Sequence, residues 1–271
     1  MAASGTNKEI KNEALLGLLS SNIISGLTLS NDATDASNDL DIAVGVATVT
    51  DGTAWYVAKL ASALVKQLDA AWAVGTNAGG LDTGAEASAT WYHVWLIQRS
   101  DTGVVDVLFS TSATAPTMPT NYDRKRRIGA IYNNASSIID QFVQVGDQFL
   151  WTVVKTMAKA TNPGTSAVLR AFQVPLGVKV LARLNATVYD SAAATAHTLR
   201  VSSPDQTDET VAVGRGQLSY FTSFGAARNY AALGDIRTDT SSQVRTRVSG
   251  SSATTELDMG CEGWIDTRGR T

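Results

Sequence analysis

Apolar and polar residues alternate along much of the chain, and the alternation is densest between Gly79 and Trp151. From Thr90 to Gln98, an extended backbone puts Trp91, His93, Trp95 and Ile97 on one face and Tyr92, Val94 and Leu96 on the other. Both faces are apolar, which predicts a central strand covered on two sides. Asp101-Thr102-Gly103 is a turn signal, so Val104 to Ser110 is expected to return as the second arm of a hairpin. Beyond Pro116 to Pro119, two further strands are predicted over Ile128 to Tyr132 and Ile138 to Val145, joined by Asn133-Asn134-Ala135-Ser136.

Upstream, Thr6 or Asn7 caps a short predicted helix through Leu19, with Ile10, Ala14, Leu15, Leu18 and Leu19 on one side. It is too brief to stand alone and needs a partner surface, within the chain or beyond it. A short strand is expected at Ser25 to Ser30. Leu40, Ile42, Val44 and Val46 then alternate with Asp39, Asp41, Ala43 and Gly45 as a half-buried strand. Trp55 to Val74 is ambiguous. Trp55-Tyr56-Val57 favours a strand, whereas Leu60, Leu64, Leu68 and Trp72 recur at helical spacing and suggest a helix for the remainder. Gly75 to Gly84 reads as a loop.

After Trp151, strands are expected at Thr152 to Thr156, Ala167 to Val174, Val178 to Tyr189, His197 to Val201, Thr210 to Gly214, Leu218 to Phe224, Gln243 to Ser249 and Glu256 to Ile265. Short strands at even intervals are the pattern of a sandwich or jelly roll. In Val178 to Val188 the apolar Val178, Val180, Ala182, Leu184, Ala186 and Val188 face inward, while Lys179, Arg183, Asn185 and Thr187 face out. The fold class expected is therefore mainly β, with two antiparallel β-sandwich or jelly-roll-like domains and a short N-terminal helix. The expected division is an attachment or oligomerisation segment over 1–36, a β-rich central domain over 37–160 and a C-terminal sandwich or jelly-roll domain over 161–271. Asn162-Pro163-Gly164 is the expected hinge.

Composition narrows the function classes. The 271 residues are 44% hydrophobic and only 17% charged, below the roughly 25% charged usual for globular domains. Such a weakly charged polar surface suits packing against other subunits. A net charge of −3 argues against a broad nucleic-acid-binding face. One cysteine, Cys261, leaves no internal disulfide and no multi-cysteine zinc site. No apolar run reaches the ~20 residues of a membrane-spanning helix, and the opening MAASGTNKEIKNE lacks a secretion-signal pattern.

Candidate chemistry is sparse. His93 sits among aromatic residues as a core or interface imidazole, and His197 has no acid or nucleophile at a motif spacing. Cys261 reads as a small buried thiol. The acidic stretch NDATDASNDLD lacks the glycine and closing glutamate of a calcium loop and reads as a turn region. Asp82, Glu86, Asp101 and Asp106 are the carboxylates from which a sugar-cleaving pair would have to come, although Asp82 and Asp101 lie where turns favour aspartate anyway. Asp123-Arg124-Lys125-Arg126-Arg127 would grip phosphates or, as favoured here, split between a solvent face and an ion pair with an acidic loop. Trp55, Tyr56, Trp91, Trp95, Tyr122 and Tyr132 would make a sugar-stacking platform if exposed, but core packing is the ordinary fate of such residues. No catalytic, cofactor-binding or metal-binding residue is assigned, and no cofactor is expected.

GGLDTG, WYHVWLI, LFS, PTMPTNYDRKRRIG and the stretch from Phe142 to Trp151 together resemble a family of bacteriophage and prophage proteins described as tail-fibre or other virion-associated proteins. The resemblance runs from about Ser25 to the closing GWIDTRGR. It implies a virion component and supplies no catalytic residues. A tail-associated fibre or appendage contributing to assembly and host attachment is expected, and no enzyme, with head-fibre, collar, capsid-decorating and polysaccharide-binding or polysaccharide-degrading roles as alternatives. The expected partners are copies of itself, by analogy with fibres a homotrimer, together with other virion proteins and host polysaccharide. Neither nucleic acid nor membrane insertion is expected.

Overall fold

The structure, a computed structural model, describes residues 23–157, 159–190, 196–212, 219–222 and 230–270. The helix expected before Leu19 lies outside these residues. Among the described residues every regular element is a strand, and the strands form several sheets. The chain falls into two compact units, Met1–Asp140 with Thr267–Thr271, and Gln141–Asp266.

The first unit contains β1 (Ile24–Gly26), β2 (Leu29–Asn31), β3 (Asp39–Ile42), β4 (Gly45–Thr50), β5 (Trp55–Leu60), β6 (Leu64–Ala71), β7 (Ala78–Leu81), β8 (Thr90–Arg99), β9 (Val105–Ser110) and β10 (Tyr122–Asn133). β1 and β2 keep one continuous register against β4 and β3, from Ile24 opposite Ala47 to Asn31 opposite Leu40. They are halves of a single ribbon that bends at Leu27-Thr28 and Ala43-Val44. Gly26 and Leu27 both take positive φ at that bend, and a Cβ on Gly26 would collide with the Val44 carbonyl. Opposite them, a Cβ on Gly45 would lie 2.5 Å from Leu27 N. The two glycines let the strands touch at the corner.

From this ribbon the sheet leaves through β6, runs β7, β9, β8 and β10, and returns to the ribbon where Lys125 pairs with Thr50. Pairing is antiparallel except for β6 with β7 and β7 with β9, which are parallel. The first unit is thus a mixed sheet curling back on itself, where an antiparallel sandwich was expected. β8 behaves as its pattern predicts, with Trp91 to Gln98 buried on both faces. Trp95, Ile97, Leu108 and Tyr122 form a core cluster with Trp72 and Met118 against it.

The helix suggested within Trp55 to Val74 is corrected to two strands, β5 and β6. The physical reason lies in the arithmetic of the pattern: positions 60, 64, 68 and 72 are spaced by four, a multiple of the strand period of two, so the same leucines line one face of either element. β10 begins at Tyr122, earlier than expected, and takes in the whole basic run. The strand expected over Ile138 to Val145 shortens to Phe142–Val145; before it, Ile139 makes only an isolated bridge to Asn133.

The second unit contains β11 (Phe142–Val145), β12 (Gln148–Thr156), β13 (Ala160–Thr161), β14 (Val168–Ala171), β15 (Leu181–Asp190), β16 (Ala196–Ser202), β17 (Ser219–Thr222), β18 (Tyr230–Arg237), β19 (Gln243–Val248) and β20 (Thr255–Ile265). One sheet runs β11-β12-β20-β15-β18, with β13 beside β20, and the other runs β14-β19-β16-β17. Every pairing is antiparallel, and the pairs nest: β12 with β20, β14 with β19, β15 with β18, β16 with β17. Because β11 pairs with β12 and β12 with β20, the unit begins at Gln141, and Asn162-Pro163-Gly164 lies inside it between β13 and β14. Thr210 to Ala212, expected to open a strand, is irregular, while β18 was not anticipated. On β15, Ala182, Leu184, Ala186 and Val188 are buried as the alternation requires, but Thr187, expected to face out, is buried as well. Phe149 stacks on Trp264 with ring centres 4.9 Å apart, and Trp151 packs on the same indole at 5.0 Å.

Candidate functional site

The site follows from an irregularity in β12. Its register against β20 jumps from Leu150 opposite Gly263 to Lys155 opposite Cys261. Trp151, Thr152, Val153 and Val154 therefore face Glu262 alone, and the surplus chain swells out of the sheet. Val153 is left 70% exposed and Val154 44%. Met157 N then donates to the Met259 carbonyl and brings the chain back to β20.

Beside the swelling lies a groove of about 330 Å³. Its floor is the face of β15 and β20 opposite the core. Asn185 pairs with Gly260 and Thr187 with Asp258, so an amide, a hydroxyl, a carboxylate and a glycine occupy neighbouring positions. Gly260 makes room for the Asn185 side chain, because a Cβ there would stand 2.5 Å from Asn185 Oδ1. Asn185 Nδ2 donates to Glu262 Oε1 at 3.4 Å. Val154 and Met157 form an aliphatic wall. Lys159 closes one end, ion-paired with Glu256 and with Nζ 5.6 Å from the Tyr189 ring centre. A second cavity of about 440 Å³ is lined by Val154 to Met157 and by Ala171 to Gln173.

The residues singled out in the sequence lie elsewhere. Asp82 Oδ2 accepts from Thr117 N at 2.8 Å, and Glu86 Oε1 accepts from Asn133 Nδ2 at 2.6 Å. Asp101 is clamped by Arg99, whose Nε and second guanidinium nitrogen donate to it at 2.9 and 2.7 Å; these bonds hold its carboxyl down at about 2. Asp106 is buried against Lys66, Nζ to Oδ1 3.1 Å, and the same Nζ donates to the carbonyls of Ala73 and Gly75. Asp106 Oδ2 accepts from Gly75 N, so the two side chains together satisfy the backbone of the 72–77 connection. Burial pushes the Lys66 ammonium below its usual value, partly offset by Asp106.

The basic run is largely internal. Arg124 lies with its guanidinium 3.4 Å from the Tyr56 ring centre, Arg126 Nε donates to the Arg268 carbonyl, and a guanidinium nitrogen of Arg127 donates to the Gly129 carbonyl. Arg126 and Arg127 are buried. Arg124 and Lys125 are half-buried. Trp91, Trp95 and Tyr122 are also buried, whereas Trp55, Tyr56 and Tyr132 are half-buried. His93 is buried on β8 between Ser110 and Ala130.

His197 is buried with Nε2 3.5 Å from Asp190 Oδ2, and Asp190 accepts from the hydroxyls of Ser252, Thr254 and Thr255. That cluster ties the β19–β20 turn to the end of β15. Burial raises the Cys261 thiol to about 12. In the acidic stretch, Asp32 and Asp35 cap backbone N–H groups of the following residues. Among the described residues no group of three or more histidine, cysteine or acidic side chains is placed to hold a metal ion.

Sequence reasoning placed Asn185 and Thr187 on the outward face but gave them no role. The available signal was Gly260, a glycine between buried neighbours inside a strand, which marks close approach. Compared with known protein families and with curated proteins, the chain matches none.

Proposed function

We propose that this chain is a structural component of a bacteriophage virion, a tail-associated appendage protein that assembles with copies of itself and contributes to host attachment. The observation that carries the reading is the nested pairing of the second unit. Counting β12 and β14 to β20 as eight successive strands, first pairs with last, second with seventh, third with sixth and fourth with fifth, across two sheets. That is the wrapping of a jelly roll, an architecture of viral capsid and lectin domains. Fold alone does not fix function. The resemblance of the central stretch to virion-associated proteins and the low charged fraction point the same way. Such a protein carries out no reaction, and Asp82 and Glu86 serve to hold backbone and amide groups.

A second reading, a polysaccharide-binding module of such an appendage, is favoured by the polar-floored groove beside β12. The structural reading is tested by light scattering of the full chain together with mass spectrometry of gradient-purified phage particles. An oligomer that recurs at fixed stoichiometry in particles is expected; a monodisperse monomer absent from particles would refute it.

A further inference from the structure

We infer that Lys66 and Asp106 form a modification site, at which the folded chain condenses the two side chains into an internal amide bond stapling β6 to β9. This chemistry goes beyond the virion reading and is independent of it.

The pair sits where the sheet of the first unit is held together least. β6 and β9 flank β7 in the parallel part of that sheet; β7 meets β9 at one residue pair, Leu81 with Phe109, and its register against β6 slips between Gln67 and Ala71. A covalent tie from β6 to β9 spans all three strands.

The surroundings suit condensation. The two side chains are 0% and 2% exposed, with Nζ 3.1 Å from Oδ1. The Trp72 ring, its centre 5.4 Å from Nζ, packs edge-on against Tyr122 and closes the pair off from solvent. A buried ion pair holds two charges stripped of their hydration, and an amide carries neither. Burial also pushes the Lys66 ammonium below its ordinary value, with the Asp106 charge offsetting part of the shift, which favours the free amine that must attack. Two groups fixed in contact react as though at about 10⁵ M or more, enough to oppose the tendency of amines and acids to stay apart in water. Lys159–Glu256 and Lys179–Asp205 are open to water and have no such drive.

The pair supplies its own proton transfers. One proton passes from Nζ to Oδ1 across the 3.1 Å contact, leaving an amine and a carboxylic acid. The nitrogen lone pair then attacks the carboxyl carbon, and the C=O electrons move onto Oδ2, which the Gly75 N–H already meets at 2.8 Å and so stabilises as an oxyanion. A second proton from nitrogen reaches Oδ1, the bond from the carboxyl carbon to Oδ1 breaks, and one water leaves as the Oδ2 electrons return. The third proton stays on the amide nitrogen, within reach of the Ala73 carbonyl. Ammonium and carboxylate thus become amide and water, with no oxidant or co-reactant.

The test is intact-mass spectrometry of the folded full-length protein, followed by tryptic mapping. The chain is expected to be lighter than its sequence by one water, with the segments bearing Lys66 and Asp106 recovered as one branched peptide uncleaved after residue 66. Lys66→Arg, which keeps the cation and removes the amine, is expected to show its full sequence mass. If Lys66→Arg does not fold, the mass and the branched peptide of the unaltered chain decide the matter alone. A full-mass unaltered chain overturns the inference, as does a lost water that persists in Lys66→Arg or maps elsewhere, such as to a succinimide at Asp51-Gly52. The masses read the same whether or not the chain is found in particles, so the two readings fail separately.

Discussion

The two units solve the same problem, a β structure with buried strands, by opposite means. The second uses regular nested antiparallel ladders around an aromatic core of Phe149, Trp151 and Trp264. The first bends a ribbon at Gly26 and Gly45, includes parallel pairs, and braces the 72–77 connection with the buried Lys66–Asp106 pair. Order in one unit comes from repetition of a pattern; in the other it depends on a few irreplaceable contacts.

That contrast can be broken most sharply at Lys66. Methionine there would leave Asp106 buried without its cation and three backbone groups of the connection reorganised. A loss of about 3–5 kcal/mol is expected, seen in hydrogen exchange as lost protection over 23–140 with 141–266 retained. The converse change, Trp264→Leu, removes the stacking partner of Phe149 and should cost about 2–4 kcal/mol, with protection lost over 141–266. A smaller cost, about 1–3 kcal/mol, is expected for Gly26→Ala, read from the midpoint of urea unfolding.

Much of the second unit could be read from the chain because period-two alternation and the buried face of β15 are local signals. The first unit resisted for a reason visible at particular residues. Lys66 looks like a polar outward position of a strand, and its burial depends on Asp106, distant in sequence. The corner is announced only by two glycines whose partnership is a tertiary fact. The leucines of Trp55 to Val74 fit either element equally. In the groove, the lone signal was Gly260; the swelling of β12 that raises its wall had none, since it is a register shift against β20.

Two weaker effects sharpen the comparison further. Cys261, with its thiol raised to about 12 by burial, is expected to resist iodoacetamide at mildly alkaline pH until urea unfolds the second unit; labelling of the native protein would contradict its burial. In the first unit, partial burial and then the charges of Asp35, Asp32 and Asp69 raise the Asp39 carboxyl. A raised folded value means the folded state holds this proton more tightly, so this group adds stability as pH falls through that value and costs a little at neutral pH. Asp39→Asn should therefore stabilise slightly at neutral pH, and by less as the solution is acidified, measured by paired urea titrations.

The proposal that the chain is a virion component is tested most directly by image reconstruction of intact phage particles produced by cells that carry its gene. The prediction is a symmetric cluster of copies in the particle whose density accommodates the nested eight-strand unit. A complete reconstruction in which every density is assigned to other chains would contradict it.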